Sequence, residues 1–380
     1  MKIVIAPDSF KDSLSAKQVA NAIAEGLQDV MSNVECCCIP VADGGEGTMV
    51  ALIDATGGRY FDVEVMDPLQ RKISAQFGVL GDGETAVIEM ASASGIELLE
   101  ASQRNPMVTT SYGTGQLILA ALEMGVKKII VAIGGSATND GGIGMMTALG
   151  ARFNDSDGHQ VAYGGNGLHN IVSIESDQLD ARLNDVEFIC ACDVDNPLTG
   201  EKGASAVFGP QKGASSEMVE QLDLGLKNYA QRIHHQLGKD VEFVPGSGAA
   251  GGLGAALLAF LNAELKPGID IVLQAVELEK HLENADIVIT GEGRIDGQTI
   301  HGKTPVGVSR LAQSKGIPTV ALAGALGEGC RSLRSAGIAG CFSVLSKPCT
   351  LTEALENAEE NVRLSAQNLA GIVTALYRNN

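Results

Sequence analysis

Aromatic residues and long apolar runs are scarce in this sequence. Phe, Trp and Tyr together make up 4 % of the 380 residues, Trp is absent, and Gly is abundant with 47 residues. Small residues on this scale are typical of close-packed α/β layers with tight turns between strands and helices. No run reaches the roughly eighteen apolar residues of a membrane-spanning helix, and the N-terminal apolar run is too short for a signal peptide. We therefore expect a cytoplasmic protein without a membrane partner.

Positive charge is scarce as well. The chain has 27 Lys and Arg against 46 Asp and Glu, and its formal net charge is −19. Nucleic acids and anionic membranes require a basic face, so this balance argues against both as partners. A phosphate or carboxylate substrate would need a locally positive site, built from helix N-termini, a few Lys or Arg side chains and a metal cation.

Three common site patterns are absent. The eight cysteines form no C-x-x-C pair, and most lie in apolar, strand-like runs. They indicate small buried residues in a reducing compartment, not a zinc site or a disulfide framework. The histidines show no metal-ligand spacing, and the lack of a G-x-S-x-G elbow leaves an esterase without support.

The length of the chain predicts two domains. In residues 1–60 and 284–380, apolar strands such as KIVIAP alternate with amphipathic helices, as in a parallel sheet. Residues 60–90 instead alternate polar and apolar side chains and predict a β-meander. We predict an α/β fold with a Rossmann-like parallel-sheet domain, discontinuous over 1–60 and 284–380. A large inserted α+β domain, residues 61–283, contains the meander.

Several loops share one form: a buried strand ends, a run rich in Gly with Asp, Ser, Thr or Asn follows, and a helix begins. They are residues 8–11, 43–48, 134–142, 193–200 and 291–303. Open α/β sheets bind ligands at the carboxyl ends of their strands, and glycine followed by a helix N-terminus favours an oxyanion. A single loop of this form is often only a tight turn. Together the loops predict a binding site.

Four aspartates in these loops form a group of candidates: Asp43, Asp140, Asp193 and Asp296. Magnesium-assisted phosphoryl transfer needs carboxylates that hold the metal and one that accepts the proton of the attacking hydroxyl. Asp140 precedes a helix and is interpreted as its cap. Asp193 is our first candidate for a catalytic carboxylate and Asp43 the second. Their roles as base and magnesium ligand are exchangeable.

Cations in the same loops are candidates for contacts with a carboxylate or phosphate. Lys11 is the third candidate for a catalytic residue, after Asp193 and Asp43. The candidate residues for binding substrate or phosphate are Asp8, Ser9, Gly44, Gly45, Gly135, Ser136, Asn139, Asn196, Gly248, Gly251, Glu292, Arg294, Asp296 and Lys303.

The segment GQTIHGKT, residues 297–304, matches the P-loop pattern G-x-x-x-x-G-K-[ST]. A P-loop needs a strand directly before its first glycine, and here six residues follow the strand that we predict to end at Thr290. Pro305 suits the first turn of a helix capped by Thr304. We therefore interpret the match as accidental, although Lys303 remains a candidate for phosphate.

A second segment matches the dinucleotide pattern G-x-G-x-x-G at Gly246, Gly248 and Gly251. That pattern requires a strand immediately before it, and Pro245 interrupts the run there. The residues after Gly251 have a helical pattern through Glu264. The segment therefore argues against a Rossmann NAD site and favours a glycine-rich helix start near phosphate.

Long motifs spread over the chain resemble the type I glycerate kinases of bacteria, from the first residue almost to the last. The motifs are APDSFKDSLSA, PVADGGEGT, IGGSATNDGGIGM, DVDNPLTGEKGASAVFGPQKGA, PGSGAAGGLGAAL and VITGEGRIDGQTIHGKTPVGV. The resemblance implies transfer of the γ-phosphoryl group of ATP to D-glycerate with Mg²⁺, giving 2-phosphoglycerate. It also implies a Rossmann-like domain with an inserted second domain.

Other functions stay open at this point. The same type of sheet would serve a dinucleotide-dependent oxidoreductase of a small hydroxy acid, or a ligand-binding sensor. Within the kinase hypothesis, 3-phosphoglycerate is the alternative product. We expect ATP and D-glycerate as the partners of a monomer or homodimer.

Overall fold

The structure is a computed structural model that describes residues 1–43 and 47–377. The chain divides into two compact units. The first comprises Met1–Asp43, Asp54–Thr56 and Ile269–Asn380, and the second comprises Gly44–Ile53 and Gly57–Gly268. The predicted domain limits, 1–60 with 284–380 and 61–283, stay a prediction.

The regular elements alternate along most of the chain. The strands are β1 Lys2–Pro7, β2 Glu35–Cys38, β3 Arg59–Met66, β4 Lys72–Val79, β5 Thr85–Glu89, β6 Lys128–Ala132, β7 Arg152–Asn154, β8 Ser173–Glu175, β9 Glu187–Ala191, β10 Glu264–Lys266, β11 Ile287–Ile295, β12 Thr319–Leu326 and β13 Ile338–Ser343. The helices are α1 Ala16–Val30, α2 Thr48–Thr56, α3 Ala91–Ser94, α4 Tyr112–Glu123, α5 Ile143–Ala148, α6 Ala204–Phe208, α7 Ser216–Leu237, α8 Ala249–Leu261, α9 Gly268–Ala275, α10 Leu278–His281, α11 Thr304–Ser314, α12 Leu351–Glu356 and α13 Ala358–Tyr377.

The first unit is built on a parallel sheet with the strand order β13-β12-β11-β1-β2. Its central strand β1 is apolar and buried, as strands covered on both faces are. Helix α1 follows β1 and begins with a capping box, in which Ser15 and Gln18 satisfy each other's backbone N–H groups. The apolar face of α1 packs with α13.

The second unit contains a mixed sheet in the order β10-β9-β6-β5-β4-β3. Strands β10, β9, β6 and β5 are parallel, whereas β5, β4 and β3 pair antiparallel in sequence order. These three consecutive strands occupy the stretch for which the sequence predicted a β-meander. The predicted α/β class with parallel sheets is confirmed.

Each unit has its own buried apolar cluster. In the second unit the cluster joins the mixed sheet to α4, α5, α7 and α8, and Phe77, Phe153 and Tyr229 are its largest fully buried members. In the first unit Ile3, Ile5 and other strand residues pack against α1 and α13. Across the described residues, no helix is long and apolar enough to cross a lipid bilayer.

Candidate active site

Three acidic side chains lie near the carboxyl ends of neighbouring strands in the first sheet. Asp8 directly follows β1, and Glu292 lies in the adjacent strand β11. The chain after β2 stays beside β1, because the backbone N–H of Val41 donates to the carbonyl of Pro7 at 3.0 Å. Asp43 comes two residues later. The edge where open α/β sheets bind ligands is therefore acidic in this unit.

These carboxylates influence one another. Burial and, to a smaller extent, the negative charge of Asp43 raise the pKa of Asp8 to about 6, although hydrogen bonds from Thr304 and Ser9 oppose the increase. Burial also raises the pKa of Glu292, with the charges of Asp8 and Asp43 in the same direction. A hydrogen bond from Thr299 (2.6 Å) and the ammonium of Lys303 oppose that increase. Such a cluster gains stability from an added positive charge.

Lys303 and Thr304 lie at the start of α11, next to these acids. The Lys303 ammonium is 3.6 Å from the Glu292 carboxylate, and the Thr304 hydroxyl donates to Oδ2 of Asp8 at 2.7 Å. Helix α11 begins at Thr304, so the prediction that Thr304 caps a helix starting at Pro305 is wrong. Lys303 is the residue before the helix, and the Thr304 side chain accepts no N–H of the first turn; its hydroxyl instead donates to Asp8, a charge-assisted bond that the local sequence does not reveal.

The strand before GQTIHGKT is also longer than predicted. Strand β11 continues to Ile295, so the predicted end at Thr290 and the six-residue separation are wrong. The added residues pair with β12 through Arg294 and Ile295, which the sequence pattern does not reveal.

In the loop after β11, several backbone N–H groups nevertheless donate to other groups of the protein. The N–H of Gly297 donates to the Glu328 carbonyl, and that of Gln298 donates to the Asp296 carboxylate. The N–H groups of Thr299 and Lys303 donate to Asp296 and Thr299 carbonyls. A P-loop directs such donors at phosphate, so this geometry favours an accidental match.

The remaining candidates of the first unit are more exposed. Arg294 donates to the Asp296 carboxylate at 3.1 Å. The pKa of Asp296 is lowered, chiefly by the hydrogen bond from the backbone N–H of Gln298 and also by that from Arg294. Ser9 donates its backbone N–H to Asp8 at 2.6 Å, and Lys11 is exposed. Gly44 and Gly45 lie outside the described residues.

The second unit has a cavity of about 410 Å³ beyond the carboxyl ends of β6 and β9. Three predicted site residues line it: Gly135, Ser136 and Asp193. Because β6 and β9 are adjacent parallel strands, the loops after them meet at this edge. Oδ1 of Asp193 accepts the backbone N–H of Gly268 at 2.8 Å.

The glycine-rich segment at the start of α8 packs against the same two loops. The N–H of Gly248 donates to the Asn196 carbonyl at 3.0 Å, and a Cβ on Gly251 would come within 2.1 Å of the Thr138 carbonyl. Ala250 lines the cavity in a left-handed conformation with φ of 52°. Turns occupy residues 242–248, so this segment does not continue a strand as a dinucleotide-binding turn does.

The two predicted asparagines and Asp140 hold these loops together. Asn196 Nδ2 donates to the Lys202 carbonyl, and Asn139 Nδ2 donates to Ser205 Oγ. Asp140 is fully buried and accepts N–H groups of Gly142 and Gly144 at the start of α5, which agrees with its interpretation as a cap. Burial raises the pKa of Asp140, while hydrogen bonds from Ser111, Gly142 and Gly144 lower it.

One cavity residue was missed by the sequence analysis. Lys212 is 1 % exposed, and its ammonium donates to Ser136 Oγ at 2.7 Å and to the Thr138 carbonyl at 2.6 Å. It lies at the end of a short 3₁₀ turn, Pro210–Lys212, outside every strand-to-helix loop. The sequence shows Lys212 in the segment FGPQKGA, but nothing in the local pattern indicates that this lysine is buried.

Comparisons with known proteins point to one family. The model of the glycerate kinase family matches residues 3–374. The glycerate 2-kinase of Escherichia coli (strain K12) is 51 % identical over 379 residues, which cover 100 % of each chain. The glycerate kinase of Bacillus subtilis (strain 168) is 49 % identical and covers 98 % of each chain.

A solved structure agrees with these relatives. A crystal structure described as a glycerate kinase 2 from Salmonella typhimurium LT2 is 52 % identical, with a TM-score of 0.92. The similarity covers 100 % of this chain and 99 % of that one.

We predict that Thr304→Val raises the pKa of Asp8 above its value of about 6, because the lost hydrogen bond stabilises the charged carboxylate. Carboxyl-carbon chemical shifts of ¹³C-labelled aspartate, followed against pH, measure the change. Thr304→Ser keeps the donor and is the matched control. An unchanged midpoint in the valine variant would show that the hydroxyl does not influence Asp8.

Proposed function

Because the chain belongs to the glycerate kinase family, we propose that it transfers the γ-phosphoryl group of ATP to D-glycerate. The observation that carries the proposal is 51 % identity, over the full length of both chains, to a relative named glycerate 2-kinase. The aligned region extends over both units, which contain the acidic edge and the cavity.

We propose 2-phosphoglycerate and ADP as the products. Glycerate offers a hydroxyl at C2 and another at C3, which differ in their distance from the carboxylate. An enzyme selects between them by fixing the carboxylate and one hydroxyl relative to the phosphoryl donor. The name of the Escherichia coli relative supports O2, and 3-phosphoglycerate remains the alternative product.

Magnesium fits the acidic edge of the first unit. Carboxylate oxygens are the ligands that this hard cation prefers, and Asp8, Asp43 and Glu292 provide them. Burial and the charges of neighbouring carboxylates raise the pKa values of Asp8 and Glu292, and a divalent cation would offset that negative charge. When bound, magnesium neutralises charge on the transferred phosphoryl group. Asp43 in the first unit and Asp193 in the second each remain a proposed magnesium ligand, and Asp8 and Glu292 supplement Asp43.

The side chains of the loops supply the remaining steps. Asp193 or Asp43 accepts the proton of the attacking hydroxyl, because a carboxylate is the acceptor that this reaction uses. Lys11, Arg294 and Lys303 are cations that would bind phosphate or the glycerate carboxylate. Lys303 is 3.6 Å from Glu292, a distance that leaves its ammonium donors available to a substrate oxygen.

The other function classes have less support. A dinucleotide-dependent oxidoreductase would need a strand ahead of its glycine-rich turn, and residues 242–248 form turns instead. A sensor would bind a small acid without turnover, which the kinase family argues against. We further propose a cytoplasmic monomer or homodimer.

A coupled assay for ADP release tests the proposed function. We expect ADP formation from ATP only when D-glycerate is present, with loss of activity in EDTA and recovery with Mg²⁺. Phosphorus NMR with proton coupling identifies the product, because phosphate on O2 couples to one carbon-bound proton and phosphate on O3 couples to two. Absence of ADP with D-glycerate would overturn the proposed function, and a triplet would overturn the proposed product.

Asp193→Asn tests the first catalytic candidate. We expect kcat to fall about a hundredfold or more, the usual scale for losing a positioned base. The side chain keeps its size and one oxygen that accepts from Gly268, so folding should be unchanged. Asp195→Asn, two residues along in the same exposed loop, makes the same change of charge and should retain kcat. If both variants keep wild-type kcat, Asp193 does not act in the reaction.

A further inference from the structure

Lys212 is a buried cation that the proposed mechanism has not yet used. Its whole side chain is among the largest fully buried ones in the protein. Lysine is rarely buried without an ionic partner, because transfer of an ammonium out of water is costly. Among residues 1–43 and 47–377, no carboxylate lies within ion-pair distance of its Nζ. The two acceptors, Ser136 Oγ and the Thr138 carbonyl, are both neutral.

The negative charge that acts on Lys212 is that of Asp140, which is not one of its hydrogen-bond partners. Asp140 raises the pKa of Lys212, but burial lowers it by more, to about 7. The Asp140 carboxylate itself already accepts from Ser111, Gly142 and Gly144. The fold therefore supports a charged Lys212 only weakly, and a ligand of negative charge would stabilise it.

The surroundings of Lys212 offer space for such a ligand. Lys212 and Ser136 both line the cavity beyond β6 and β9, next to Gly135 and Asp193. An ammonium has three donors, of which two are used in the described bonds. The oxygen of Ser136 accepts from Lys212, so its own hydroxyl hydrogen is left to donate. The pair can thus offer two hydrogen bonds to one anionic group.

We infer that Lys212 and Ser136 form an oxyanion-binding subsite, which takes a phosphate or carboxylate oxygen of a substrate in this cavity. The inference rests on the proposed kinase function, whose two substrates both carry such oxygens. Asp193, the proposed catalytic carboxylate, lines the same cavity, so the subsite would hold the anion beside the group that handles the reacting hydroxyl.

Lys212→Met tests the subsite, because methionine keeps much of the length and apolar character of the side chain but has no charge. We expect KM for either ATP or D-glycerate to rise at least about tenfold, since charge-assisted hydrogen bonds are the stronger kind. KM for the other substrate should change by less than about twofold, and the affected KM identifies the source of the oxyanion. Isothermal titration with the same substrates gives the affinities without turnover.

Lys227→Met is the matched control. It removes an exposed lysine from α7 in the same unit and should leave both KM values and both affinities unchanged. The inference is overturned if folded Lys212→Met keeps both KM values, or if it loses only kcat. It is also overturned if both KM values rise together, because that indicates general distortion of the unit.

Ser136→Ala keeps the test decisive should Lys212→Met fail to fold. This small change removes the shared hydroxyl, and we expect KM for one substrate to rise about threefold or more. Unchanged KM values for both substrates would overturn the inference.

The outcome is separable from that of the proposed function. If the wild-type protein forms no ADP from ATP and D-glycerate, the proposed function has failed, and inorganic phosphate becomes the probe. The subsite is then supported if wild-type protein binds inorganic phosphate and Ser136→Ala binds it more weakly. Equal binding by the two proteins, or none by wild type, overturns it.

Discussion

Hydrogen bonding between parallel strands determines where the polar side chains of this protein meet. Pro7, the last residue of β1, pairs with Gly291 of β11, so Asp8 directly after β1 lies beside Glu292 of β11. In the second sheet, Ala132 of β6 pairs with Ala191 of β9, and the cavity opens beyond both. Because parallel strands all end at the same edge, residues far apart in the chain are brought together in each unit.

This arrangement has an electrostatic consequence. The chain carries a net charge of −19, and carboxylates cluster at the edge of the first sheet, where burial and neighbouring negative charge raise the pKa values of Asp8 and Glu292. An anionic substrate cannot approach such an edge unless positive charge is supplied locally. Lys303 supplies part of it in the first unit, and a divalent cation would supply more. In the second unit the buried ammonium of Lys212 has the same function for an oxyanion.

In each unit, the sequence predicted the candidate residues that depend on local pattern. Strand-to-helix loops with Gly and Asp led to Asp8, Asp43, Asp193 and Ser136, because strand periodicity and turn residues are visible within a few positions. Contacts between residues far apart in the sequence could not be predicted from local pattern. The bond from Thr304 to Asp8 joins residues 296 positions apart, and the extension of β11 to Ile295 depends on pairing with β12. Burial of Lys212 likewise results from tertiary packing.

The most direct test of this account is whether Mg²⁺ displaces protons from the acidic edge of the first unit. Metal ligands must be deprotonated, and Asp8 with a pKa of about 6 is partly protonated at pH 6. Isothermal titration of Mg²⁺ into the protein, in buffers of different ionisation enthalpy, counts the protons released. We expect release of about half a proton or more at pH 6, almost none at pH 8, and a smaller release at pH 6 in Asp8→Asn. No release at pH 6, or equal release from the wild type and Asp8→Asn, would contradict it.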